Sequence, residues 1–120
     1  MPSKTSKTIK VELASTPQER TVGLMYRKSI DPNSGMLFLF QKKSSLSFWG
    51  ANTYIPLDIA FIDGEKIIDI KKIVPLSTRA IKCDAQCDKA LEVPCDFFEK
   101  NKIEVGSSVK VDGDEVTFIL

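Results

Sequence analysis

Histidine is absent from the 120 residues, which removes serine and cysteine triads, histidine-bound metal and the imidazole proton shuttle. No run reaches the roughly eighteen apolar residues a membrane-spanning helix needs, so no span is expected. The first ten residues are polar, carry Lys4, Lys7 and Lys10, and contain no apolar core that would mark a signal peptide. Either the protein is cytosolic or a leader has been removed, and the compartment stays open. Excess charge is lacking too: 17 Lys+Arg against 16 Asp+Glu give a net +1. The first sixty positions hold eight basic and four acidic residues and the last sixty hold nine and twelve, too mild a polarity to define a partner. Lys42-Lys43 and Lys71-Lys72 read as solvated doublets, and no broad basic stripe exists, so nucleic acid is not an expected partner. Phosphate-loop and dinucleotide motifs are missing: Gly23 and Gly35 stand alone, and Gly106 precedes Ser107-Ser108 without a lysine. No cofactor is expected.

Cysteine is scarce and odd in number: Cys83, Cys87 and Cys95, so one thiol stays free under any internal pairing. Cys83 and Cys87 bracket Asp84-Ala85-Gln86, a polar loop short enough to allow a disulfide if it folds back. Independent free thiols are the plainer arrangement. A three-thiolate metal site would lack its fourth ligand and need Asp84 or Asp88, so no metal is expected.

What is present is a succession of short alternating segments in a length that suits one domain. Ile9, Val11 and Leu13 alternate with Lys10 and Glu12 as a half-buried strand. Thr16-Pro17-Gln18-Glu19 reads as a capped helix start with a capping box, and the helix is predicted to run to about Arg27. Asp31-Pro32-Asn33-Ser34-Gly35 breaks it, and Met36–Phe40, apolar on both faces, reads as a central strand. Leu57–Ile62 and Ile67–Val74 form a hairpin across Asp63-Gly64. A polar loop is predicted over residues 75–89, a strand over 90–93, a short helix from Pro94 through Phe97 and Phe98, and a closing hairpin across Asp112-Gly113. The sum is a mainly β (α+β) domain over residues 9–120, an antiparallel β-sandwich or open barrel with about seven strands and two short helices. Residues 1–8 are expected to form a flexible head.

Several of these segments resemble the DUF192 (UPF0127) family of bacterial and archaeal proteins. They are Arg20–Arg27 (RTVGLMYR), Gly35–Phe40 (GMLFLF), Phe48–Asp63 (FWGANTYIPLDIAFID), Ala90–Pro94 (ALEVP) and Ile103–Gly106 (IEVG). The resemblance implies a small, mainly β domain, often exported among relatives, and brings no activity with it. Two departures stand out. The family has Met-Lys where this chain has Gly50-Ala51, and a small pair where it has Cys95-Asp96.

Two constellations could carry chemistry. Arg20, Gly23 and Arg27 fall on one face if the helix is regular, and two guanidiniums flanking a bare glycine could clamp a carboxylate or phosphate. The plainer alternative packs Gly23 on the sheet and pairs both arginines with acids. Trp49, Asn52, Thr53 and Asp58 form the second group, an aromatic platform with polar neighbours suited to a small polar ligand. Asp58 lies opposite Leu57, Ile59 and Phe61, and if covered it needs a partner, for which Arg20 or Arg27 is the expectation. Paired-carboxylate hydrolysis would need a second acid, and only Glu92 offers itself. The leading expectation is a non-enzymatic binding or accessory domain for a small polar or anionic ligand, using Arg20/Arg27 and Trp49–Asp58. The rivals are a hydrolase-like enzyme with Asp58 as general acid or base, and a protein–protein module offering a sheet edge or apolar patch.

Overall fold

A computed structural model describes residues 6–120. The elements follow as β1 (Ser6–Ala14), α1 (Pro17–Val22), β2 (Ser34–Ser44), β3 (Ser47–Phe48), β4 (Leu57–Asp63), β5 (Lys66–Ile73), β6 (Ile81–Lys82), β7 (Cys87–Pro94), α2 (Phe97–Lys100), β8 (Ser108–Asp112) and β9 (Glu115–Ile119). Seven strands close a barrel in the order β1-β2-β7-β4-β5-β8-β9, and β3 and β6 pair as a separate ribbon. Among the described residues no helix is long and apolar enough to cross a membrane.

The mainly β class is observed, and the detail differs from expectation. The sheet is neither a sandwich nor open, because Ser6–Lys10 pairs with Glu115–Ile119 and joins the two ends of the chain. It is also not wholly antiparallel: β1 and β2 run parallel, Lys10 opposite Ser34 through Ala14 opposite Phe38. The crossover through α1 returns the chain in its original direction, which a tight hairpin cannot do. Ser6, Lys7 and Thr8, expected in the flexible head, belong to β1, while residues 1–5 lie outside the described residues.

Local signals set most of the elements. Thr16 caps α1, its hydroxyl accepting from the Glu19 amide while the Glu19 carboxylate accepts from the Thr16 amide, each at 3.1 Å. The helix stops at Val22 rather than Arg27 because Gly23 turns to φ 49° and Tyr26 to φ 67°, both outside the helical region. Pro94 ends β7 instead of starting a helix, and β7 begins at Cys87, inside the expected polar loop. Both expected hairpins form, with Gly64 at φ 64° and Gly113 at φ 59° supplying the left-handed residue in each turn.

Two apolar layers result. Ile9, Val11, Leu37, Ala60, Ile62, Leu91, Val93 and Phe118 fill the barrel, and Phe97 and Phe98 from α2 plug one end. Both phenylalanines stack on Phe118, with ring centroids 5.9 and 6.1 Å away. The opposite faces of β2, β4 and β7 carry a second layer including Met36, Phe38, Leu57, Ile59, Phe61 and Ala90, covered by the segment after α1 and by the β3/β6 ribbon. Burial of each large apolar side chain contributes about 1.5–3 kcal/mol, and β4 contributes on both sides.

Candidate functional site

The second layer is not completely filled. Between α1, β3 and the outer face of the barrel lies a cavity of about 410 Å³, lined by residues that include Arg20, Gly23, Phe38, Trp49, Thr53 and Glu92. Four of the seven residues singled out in the sequence therefore meet here: Arg20, Gly23, Trp49 and Thr53.

Arg20 enters from the last turn of α1. Its Nη1 donates to the carbonyls of Ser15, 2.7 Å away, and Leu39, 2.9 Å away, and its guanidinium lies 4.9 Å from the centroid of Phe40. No acid pairs with it among the described residues. Gly23 ends the helix, and a β-carbon there would stand 3.1 Å from the ζ-carbon of Phe38. Gly23 thus packs closely on the Phe38 ring and also serves the turn.

Trp49 and Thr53 are carried by a loop fixed through Gly50. The Gly50 amide donates to Ser77 and its carbonyl accepts from Thr53 and Leu76, at 2.9–3.0 Å. A β-carbon at Gly50 would lie 1.9 Å from the Val74 carbonyl oxygen, so this loop path requires glycine. Gly50 and Ala51 do not line the cavity. Asn52 also stands outside the lining. It adopts φ 57° and its carbonyl accepts from the Tyr26 amide at 2.8 Å, tying the loop to the turn after α1.

Glu92 is the residue that sequence reasoning placed least well. On β7 it stands level with Met36 of β2 and Ile59 of β4, so both cross-strand neighbours are apolar. It is 5% exposed and has no hydrogen-bond or ion-pair partner among the described residues. Burial pushes its carboxyl up to about 8, because the charged form loses hydration without a compensating contact. Arg20 is the other charged side chain lining the cavity. The available signal was a single acid inside Ala90-Leu91-Glu92-Val93, a run otherwise apolar on both faces.

Arg27 and Asp58 lie elsewhere. Arg27 makes a two-pronged ion pair with Glu12, Nη2 to Oε1 being 2.7 Å, and this contact lowers the Glu12 carboxyl. Asp58 faces the other side of the barrel wall, level with Lys72 and Val93. It is 4% exposed, and its partner is neither arginine: Lys72 Nζ lies 3.1 Å from Oδ1, and the Asp96 amide donates to Oδ2 at 3.1 Å. Strand alternation explains the correction. Asp58 shares its face with Ala60 and Ile62, whereas the segment after α1 and the β3/β6 ribbon cover the face of Ile59 and Phe61. Asp58, Cys95 and Asp96 bring their ligand atoms within 4.8 Å of one another, but Lys72 Nζ also lies 3.1 Å from Asp96 and 3.8 Å from Cys95. An ammonium already supplies the positive charge, and the two carboxylates hold it firmly protonated. Cys83, Cys87 and Cys95 are all free thiols, the first two buried, and burial pushes Cys87 up to about 11.

These features describe a small closed barrel with two hollows, one of about 410 Å³ outside the wall under a short helix and one of about 520 Å³ lined by Asp58, Lys72 and Phe98. The chain belongs to the DUF192 family, described as uncharacterized ACR, COG1430, whose model matches residues 1–111. A Sinorhizobium meliloti 1021 crystal structure described as "a putative transcription regulator" is similar at 27% identity and TM-score 0.80, over 99% of this chain and 97% of that one. A Novosphingobium aromaticivorans DSM 12444 protein of unknown function is similar at 30% identity and TM-score 0.82, over 86% of this chain and 75% of that one. Among curated proteins none matches.

Proposed function

We propose that the protein is a non-enzymatic binding domain that takes a small organic ligand into the cavity under α1. The observation that carries this reading is a buried, unpartnered carboxyl, Glu92, sharing one 410 Å³ cavity with Arg20, Trp49 and Thr53. Cavities of this size suit small ligands, and a few convergent polar groups among apolar walls give them orientation. The region of Arg20 and Trp49 thus remains from the sequence-based site, whereas Arg27 and Asp58 leave it. Acid–base chemistry at Asp58 is the weaker reading, because Lys72 stands as counter-ion between Asp58 and Asp96. Val22 and Trp49, exposed apolar side chains in the lining, would cover the apolar part of a ligand.

Titration of the isotope-labelled protein with a panel of amines, sugars, carboxylates and phosphates tests this, read by amide shifts and by emission of Trp49, the single tryptophan. Saturable shifts confined to Gly23, Thr53, Glu92 and their neighbours are expected. Shifts at the barrel mouth around Asp58, or none at all, would refute it.

A further inference from the structure

We infer that the ligand of this cavity carries an organic ammonium group, held by the Glu92 carboxylate among aromatic rings, with an apolar body lying toward the rim. This rests on the binding reading above and names its ligand class. Three observations converge. Glu92 is a buried carboxyl with no protein partner among the described residues, and each of its cross-strand neighbours is apolar. The same cavity is lined by Phe38, Phe48 and Trp49, aromatic residues whose ring faces attract a desolvated cation, while Phe40 already carries Arg20. Arg20, the other charge in the lining, already donates to two backbone carbonyls and lies against Phe40. It is therefore a weaker recognition element than a carboxyl with both oxygens unused.

At the Glu92 carboxyl the balance favours a cation once that group ionises, while Arg20, the other charge in the lining, is the competing site for an anion. An ionised carboxylate in an apolar site is costly until an opposite charge reaches it, and an entering ammonium supplies that charge directly. A neutral hydroxyl would meet a protonated Glu92 and gain one ordinary hydrogen bond. A carboxylate would meet Glu92 in its protonated form below pH 8 and find an opposite charge only at Arg20. Arrival of the ammonium converts Glu92 to its charged form, so binding below pH 8 releases a proton. The proton leaves the carboxyl for solvent, and the ligand keeps its own.

An isosteric series decides the question: cyclohexylmethylamine, cyclohexylmethanol and cyclohexanecarboxylate, titrated at pH 6, 7 and 8 with Trp49 emission and calorimetry in two buffers of different ionisation heat. The amine is expected to bind at least tenfold more tightly than the alcohol at pH 8. Its affinity should rise about tenfold per pH unit toward 8, with a buffer-dependent heat that reports proton release. Glu92→Gln, a neutral near-isostere, should abolish the preference for the amine over the alcohol. Equal binding of amine and alcohol, tighter binding of the carboxylate, or an amine preference that survives Glu92→Gln would overturn the ammonium assignment and leave the cavity as a binding site. Silence of all three compounds would overturn both.

Discussion

Glu92→Gln also makes a prediction about the fold itself, independent of any ligand. An ordinary glutamate titrates near 4.5, and in the folded chain this one is pushed up to about 8. Each decade of proton affinity is worth 1.36 kcal/mol. The folded state binds the proton more tightly than the unfolded chain, so stability from this group is fully present below pH 4.5 and drains as pH rises through 8. At pH 7 the lost stabilisation amounts to about 3 kcal/mol, a large share of the 5–15 kcal/mol typical of a domain. Glutamine occupies nearly the same volume and cannot ionise, so it escapes the loss. The variant and the parent should therefore unfold alike at pH 4, and the variant should be the more stable at pH 7. For a chain of this length about 2.1 cal/mol/K per residue converts 3 kcal/mol into about 12 °C in Tm. Thermal melts followed by circular dichroism at pH 4, 5.5, 7 and 8 read this directly. Titration of Glu12, Asp96 and other acids is common to both proteins and cancels in the difference. A gap between the two that stays constant from pH 4 to pH 8 would show that Glu92 is not an unpartnered buried acid, and both functional readings would lose their foundation.

Two further substitutions test the surroundings. Gly23→Ala places a side chain at φ 49° and 3.1 Å from the Phe38 ring; a loss of about 1–2 kcal/mol is expected from the backbone alone, read as a lower urea midpoint, and an unchanged midpoint would contradict the turn described after α1. At the barrel mouth, Lys72→Met leaves Asp58 buried with only the Asp96 amide, whereas Asp58→Asn leaves a lysine that is 61% exposed and easily solvated. The lysine substitution should be the more damaging, by about 1 kcal/mol after allowance for solvent screening, and the reverse order would mean that Asp58 is held by something other than Lys72.

The parts of the molecule governed by neighbouring residues were legible in the sequence. Thr16 and Glu19 marked a helix start that forms as a capping box, and Gly64 and Gly113 marked two hairpins. Arg20, Gly23, Trp49 and Thr53 were singled out and do share a cavity. What escaped is what long-range pairing decides. The contact of Ser6 with Ile119 closes the barrel, and residues so far apart in the chain leave no periodic trace of each other. Faces were equally ambiguous. Alternation along Leu57–Asp63 separates Asp58 from Ile59 and Phe61, but every residue of β4 except the last is buried, so the pattern alone did not say which side the segment after α1 would cover. Asp58 was consequently assigned to the arginines, and Glu92, on the covered side, was noticed only as a spare acid.

The contrast between those two carboxyls is what locates function in this barrel. Asp58 and Glu92 are almost equally buried, at 4% and 5% exposure, and both interrupt apolar runs on the adjacent strands β4 and β7. Asp58 is satisfied twice over, by an ammonium and a backbone amide, which is the usual fate of a buried acid and accounts for it as architecture. Glu92 is given nothing comparable among the described residues, although a Gln, Met or Leu would fill the same space without the loss of stability near neutral pH. Proteins keep such costs mainly where activity needs them, because stabilising replacements are easily reached. The unpartnered acid also faces a layer of the molecule left partly unfilled, beside the single tryptophan. The missing partner of Glu92 and the missing content of the cavity are then one and the same thing, a ligand bearing the charge that Lys72 brings to Asp58.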